Sequence, residues 1–141
     1  MNCSRRDCCR WLPALLAARG WAAADPSLSS QAYPFDSLQV ATEGKNRFRS
    51  ILQGVTRSGC EIEVHETDLA PGEMPHPPHH HVHEEMFLIR AGTLEITIAG
   101  RTTRLGAGSA AFVASNDEHG ISNVGSNHAQ YFVLGLGNEK A

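Results

Sequence analysis

The stretch from Gly72 to Gly92 reads GEMPHPPHHHVHEEMFLIRAG, and five of the eight histidines of the chain fall in it between His76 and His83. His79 and His81 are two apart, so on an extended strand both would project to one face. Glu85 has the same parity and can join them. Imidazole and carboxylate with no nearby thiolate suit Mn, Fe, Co, Ni, Cu or Zn. His81 and His83 form a second pair at the same spacing, and the whole run could also be a loose surface tract that scavenges metal. His80 would point away from a site built on His79 and His81 and reads as solvated. His76, His83 and His128 read as surface, rim or hydrogen-bonded histidines.

Such side chains meet at one ion only if strands carry them there. From residue 47 onward the chain is a series of short β-like runs: 47–55, 60–69, 86–89, 93–99, 101–105, 109–114 and 130–136. The clearest is 93–99, where Leu94, Ile96 and Ile98 alternate with Thr93, Glu95 and Thr97, the pattern of a half-buried strand. Glycines recur between the runs, and no stretch after residue 25 sustains a helical period with caps. Many short strands with spaced turns predict an all-β, closed or double-sheet architecture. A barrel of this size encloses one small cavity. Residues 25–46 show little periodicity and read as a linker or N-terminal arm over the domain at 47–141.

On these residues the chain resembles the cupin superfamily. Its first motif has a glycine, then His-x-His, three or four residues, Glu, six residues and Gly; Gly72, His79-His80-His81, Glu85 and Gly92 follow it, with one extra residue after Gly72. Its second motif runs from Gly108 to His119 and Asn123. Ala114 stands where the family usually has Pro, and Asn116 where it has Gly; Asn tolerates left-handed backbone better than most residues. The resemblance covers roughly residues 47–137. It implies a single-domain, jelly-roll-like double-stranded β-helix of the RmlC type. It also implies one divalent transition metal held by His79, His81, Glu85 and His119, with Mn, Fe or Ni favoured and Zn or Cu as alternatives. A homodimer is a further expectation of the family.

Residues 1–24 read MNCSRRDCCRWLPALLAARGWAAA, with a twin arginine at Arg5-Arg6, an apolar stretch too short to span a bilayer, and small residues before Asp25. They look like a twin-arginine-type export signal, which implies a periplasmic or extracellular protein; the alternative is a cytoplasmic one. Three cysteines lie in this segment, so the body holds only Cys60, expected to be buried. The net charge of −3 gives no sign of a nucleic-acid partner. A small-molecule ligand or substrate is the expected partner, with no membrane span.

The fold itself does not choose a reaction. Three classes stand: a dioxygenase-like oxidoreductase, a non-redox lyase or isomerase acting on a small carboxylate or sugar, and a non-catalytic binding module. The three-His, one-Glu set implied by the resemblance leans to the first. No catalytic residue beyond the metal ligands is assigned; Glu95, Glu118 and Tyr131 are the candidates for proton transfer.

Overall fold

The computed structural model describes residues 27–137; the signal-like segment 1–24 lies outside them. Among the described residues one 3-10 turn, Phe35–Ser37, precedes nine strands: β1 (Val40–Glu43), β2 (Asn46–Val55), β3 (Glu61–Leu69), β4 (Glu84–Ala91), β5 (Thr93–Ile98), β6 (Arg101–Gly106), β7 (Ala110–Val113), β8 (His119–Asn123) and β9 (Ala129–Leu136). They form two antiparallel sheets, a large one ordered β1-β2-β3-β9-β4-β7 and a small one ordered β6-β5-β8. The core lies where the sheets face each other. Leu69, Phe87, Ile89, Val113, Tyr131 and Val133 come from the large sheet, and Leu94, Ile96 and Ile121 from the small one. This is the expected all-β, jelly-roll-like barrel.

Alternation places the side chains. In β5, Leu94 and Ile96 are buried while Glu95 and Thr97 turn outward. In β9, Ala129, Tyr131 and Val133 share the inward face. Two strands escape the sequence pattern. Strand β8 has one large apolar residue, Ile121, and forms because its backbone pairs with β5 in register, Ile121 opposite Ile96. Strand β1 is exposed along its whole length and is held by pairing with β2.

The rest of the N-terminal arm also packs on the large sheet. The Leu28 N–H donates to the Val55 carbonyl at 2.8 Å. Phe35 lies under the guanidinium groups of Arg49 and Arg90, at 4.5 and 4.9 Å from its ring centre. Cys60 is exposed, against expectation. It closes the turn between β2 and β3, where its N–H donates to Thr56 Oγ1, so its side chain stays outside the sheet.

Two carboxylates sit buried on β3. Glu66 accepts from Arg49 at 2.6 Å, and Asp68 accepts from Arg47 and His128, each at 2.7 Å. Burial alone would raise the Asp68 pKa. Hydrogen bonds from His128 and Gln130, with the Arg47 charge, outweigh burial and hold it below its ordinary 3.8. A depressed carboxyl adds stability that is complete above its unfolded pKa and is lost as pH falls through the folded one. Stability is therefore expected to decline below pH 3.8. Urea unfolding at about pH 5 and about pH 3 should show Asp68→Asn weaker than wild type at the higher pH and less sensitive to acid. Equal acid sensitivity in the two proteins would assign the decline to other carboxyls.

Candidate metal centre

The histidine run lies in the connection between β3 and β4, and it is a pinned loop rather than a strand. Pro71, Pro75, Pro77 and Pro78 cannot donate to a ladder, which prevents regular pairing. A single antiparallel bridge holds the loop instead. The His79 N–H donates to the His119 carbonyl at 3.0 Å, and the His119 N–H donates back at 2.9 Å. This pairing sets the two imidazoles on one side, with ring centres 4.6 Å apart. Gly120 makes room for the loop, since a Cβ there would lie 3.1 Å from Pro78.

His81 is fixed by the second motif. Its carbonyl accepts from the Asn116 N–H at 2.8 Å, and Asn116 has φ 64°, the left-handed conformation its place in the motif requires. The Nδ1 atoms of His81 and His119 lie 2.8 and 2.9 Å from the carbonyls of His83 and Asp117. A carbonyl only accepts, so each Nδ1 carries a proton, and in the neutral ring each Nε2 holds a lone pair. Both Nε2 atoms, and Nδ1 of His79, are buried without a hydrogen-bond partner.

Glu85 faces these lone pairs from β4. Its Oε1 is 3.4 Å from His81 Nε2 and its Oε2 is 3.3 Å from His119 Nε2. Acceptor therefore meets acceptor with no hydrogen between, an arrangement that costs free energy unless a cation enters. Donor atoms of His79, His81 and His119 lie within 4.8 Å of one another, and those of His81, His83 and Glu85 do the same. Burial, and then the neighbouring imidazoles of His76, His119 and His81, outweigh Glu85 and lower the His79 pKa from 6.5. The neutral imidazole this favours is the metal-binding form. The donor set fits a divalent transition metal.

Other sequence readings fare differently. His80 and His76 are exposed, and His128 is bonded to Asp68. The His83 ring stacks on His81 with centres 3.6 Å apart. Glu95 turns outward and pairs with Arg104 at 2.8 Å. Glu95 and Glu118 line a cleft with Thr97 and Thr102 that is also bordered by His119. Tyr131 is sealed in the core, and burial raises its pKa. Sequence reasoning missed His65, which shares the inward face of β3 with Thr67 and Leu69 and lies 3.5 Å from Glu63. Period-2 parity along β3 is the signal that would have found it.

Two motif residues hold the frame. Gly92 has φ 83°, and a Cβ there would lie 2.5 Å from the Ala129 backbone, so no side chain fits. Asn123, 1% exposed, donates from Nδ2 to the carbonyls of Leu69 and Asn127, each at 2.8 Å. Its Oδ1 accepts from the Gly125 N–H at 2.9 Å.

A cupin-domain family model matches residues 65–135, half of the chain. The chain belongs to the cupin family. The matched span contains all four residues of the expected ligand set. Among solved structures, an RmlC-like cupin from Shewanella frigidimarina is 16% identical with a TM-score of 0.64, over 79% of this chain and 95% of that one. The polyketide cyclase RemF from Streptomyces resistomycificus is 18% identical with a TM-score of 0.62, over 79% and 81%. A predicted oxalate decarboxylase from Thermotoga maritima is 14% identical with a TM-score of 0.63, over 77% and 100%. At these identities the likeness is one of fold. Among curated proteins, none matches.

The three side-chain bonds of Asn123 are each worth about 1 kcal/mol. Asn123→Ala should therefore lower stability by about 3 kcal/mol in urea unfolding. A loss under about 1 kcal/mol would mean that water replaces the amide.

Proposed function

We propose that this cupin binds one divalent transition metal through His79, His81, Glu85 and His119 and uses it to oxidise a small organic substrate in a dioxygenase-like reaction. Mn, Fe or Ni is favoured, with Zn or Cu as alternatives. The observation that carries the reading is the set of buried, unpartnered imidazole nitrogens facing Glu85. When bound, the metal supplies a redox or Lewis-acid centre that a chelating substrate can join. The chain's own part is to present donors and exclude water. The carbonyls of His83 and Asp117 hold the Nδ1 protons of His81 and His119, which aims each Nε2 lone pair inward. Phe87, with its ring centre 6.3 Å from that of His119, and Val133 close the apolar floor behind the site. Glu95 is paired with Arg104 and Tyr131 is sealed in the core, which speaks against either as a proton-transfer group.

The inward-facing His65, beside Glu63, favours a second reading. A half-buried imidazole next to a carboxylate is a Brønsted pair of the kind a non-redox lyase or isomerase needs. The names polyketide cyclase and predicted oxalate decarboxylase among similar structures lie on this side.

Elemental analysis of wild type, His81→Ala and His119→Ala is the first test, followed by turnover of small enols, phenols and acids with and without oxygen. The expected result is about one metal per chain, lost in both variants, and turnover that consumes O₂. Turnover without oxygen that His65→Ala abolishes would establish the second reading. Metal retained in both variants would sink the site, and metal without turnover would leave a binding module.

We further infer export through the twin-arginine-like segment and a homodimer packed on the outer face of the large sheet, where Leu88 and Phe112 are exposed. Cell fractionation should find the protein outside the cytoplasm, and Phe112→Glu should shift its size-exclusion elution to that of a monomer. Cytoplasmic protein or an unchanged elution would reject the respective inference.

A further inference from the structure

We infer that Pro78 and Gly120 form a steric stop that sets the separation of His79 and His119, and through it the affinity of the ion site. This rests on the metal reading above and adds to it two positioning residues that do not themselves touch the ion.

The contact lies one residue from each histidine. Pro78 precedes His79, and Gly120 follows His119. His119 and Ile121 are buried on one face of β8, so Gly120 between them turns to the other. A Cβ on Gly120 would lie 3.1 Å from Pro78 Cγ, 3.3 Å from its Cβ and 3.5 Å from its Cα. Gly120 does not have a positive φ, so the backbone itself would accept alanine. What the position requires is room for the proline ring. The two backbone hydrogen bonds between His79 and His119 hold the loop alongside β8, and the proline stop limits how it sits there. Together they leave 4.6 Å between the two imidazole centres.

Neither side of the contact yields easily. Pro78 Cβ and Cγ belong to a closed ring that has no rotamer to escape into and that fixes φ. Pro77 stiffens the residue before it in the same way. On the other side β8 is held in register by β5, with Gly120 opposite Thr97. A methyl group at residue 120 would therefore have to move the backbone of Pro78. Restoring ordinary carbon–carbon contact takes about half an ångström, and His79 is the next residue. Ligand distances in a metal site hold to within about 0.2 Å, so that shift exceeds what the site tolerates. The contact matters less to the barrel. Pro78 is exposed and, with Met74, Gly120 and Ser122, borders an open cleft rather than the core. Ion affinity and fold stability are thus separable at this position.

The test measures Co(II) affinity and the visible Co(II) spectrum in the full chain, with urea unfolding of the metal-free proteins beside them. Gly120→Ala should bind Co(II) about tenfold more weakly than wild type, with an altered spectrum and nearly unchanged unfolding. Pro78→Ala removes the nearest carbon and the stiffness of the ring, and should weaken binding by a smaller factor. In the double variant the added methyl no longer meets a ring, so Gly120→Ala should have no effect beyond that of Pro78→Ala. Wild-type affinity in Gly120→Ala, or a loss that persists undiminished in the double variant, would overturn the steric stop and leave the four-ligand site standing. An affinity loss matched by an equal loss of metal-free stability would assign the effect to the fold and overturn it too. If Gly120→Ala does not fold, Pro78→Ala decides alone, and wild-type affinity there rejects the inference. Wild-type protein that takes up no Co(II) would sink the metal reading and this inference with it.

Discussion

The two backbone hydrogen bonds between His79 and His119 are the constraint on which the site depends. The connection from β3 to β4 contains four prolines and has no ladder of its own. Left unpinned, it would sample many positions, and ordering each residue costs about 1–2 kcal/mol. The bridge makes the loop an honorary neighbour of β8 and thereby fixes the distance between two imidazoles. Asn116 adds a third tie, to the His81 carbonyl. The metal motif is thus assembled by backbone geometry before any ion is considered. Glu85 comes from the large sheet and His119 from the small one, so the site also reports whether the two sheets are in register.

The molecule handles buried charge in two opposite ways. On β3, Glu66 and Asp68 each meet an arginine, and the carboxylates are compensated within the chain. At the barrel mouth Glu85 meets three imidazoles, two of which turn lone pairs toward it. The first arrangement brings its positive charge from within the chain, although Glu66 Oε1 is left without a hydrogen-bond partner. The second is incomplete by construction, and the deficit is one of positive charge. The different outcomes follow from the second partners: guanidinium groups cannot lose their protons, whereas carbonyls at His83 and Asp117 decide which imidazole nitrogen stays bare. Affinity for a cation is therefore written partly in main-chain oxygens that no motif records.

The strands with two-residue alternation were legible in the sequence, as in Leu94, Ile96 and Ile98, because one buried face leaves that pattern. Strand β8 was not, because HGISN offers one large apolar side chain and its pairing comes from β5. The proposed four-residue ligand set followed from the resemblance to the two cupin motifs, yet the way the chain brings its members together did not: His79 and His81 face each other through a bridge and a loop, not through a strand. The substitution of Asn116 for glycine was readable as a left-handed position, and φ 64° bears it out. Cys60 misled because alternation next to it implied a strand interior, while the turn that Thr56 closes lies one residue earlier. The placement of the His83 ring beside Gly135 was not legible, because such lateral neighbours are invisible along a single chain.

Those lateral relations also bear on how the fold and the site support each other. Asn123 ties the end of β3 to the turn before β9, and its backbone bonds Gly72 and Glu73 at the start of the histidine loop. The same residue therefore closes the barrel and aims the loop. A ligand that binds only the folded arrangement of His79, His81, Glu85 and His119 stabilises it by mass action, about 2.7 kcal/mol when its concentration is a hundredfold above the dissociation constant. That stabilisation reaches the core through β4 and β8, which carry Glu85 and His119 beside Phe87 and Ile121. If the proposed ion binds there, barrel closure and ion binding are one equilibrium: loosening the loop would lower affinity, and filling the site would tighten the barrel.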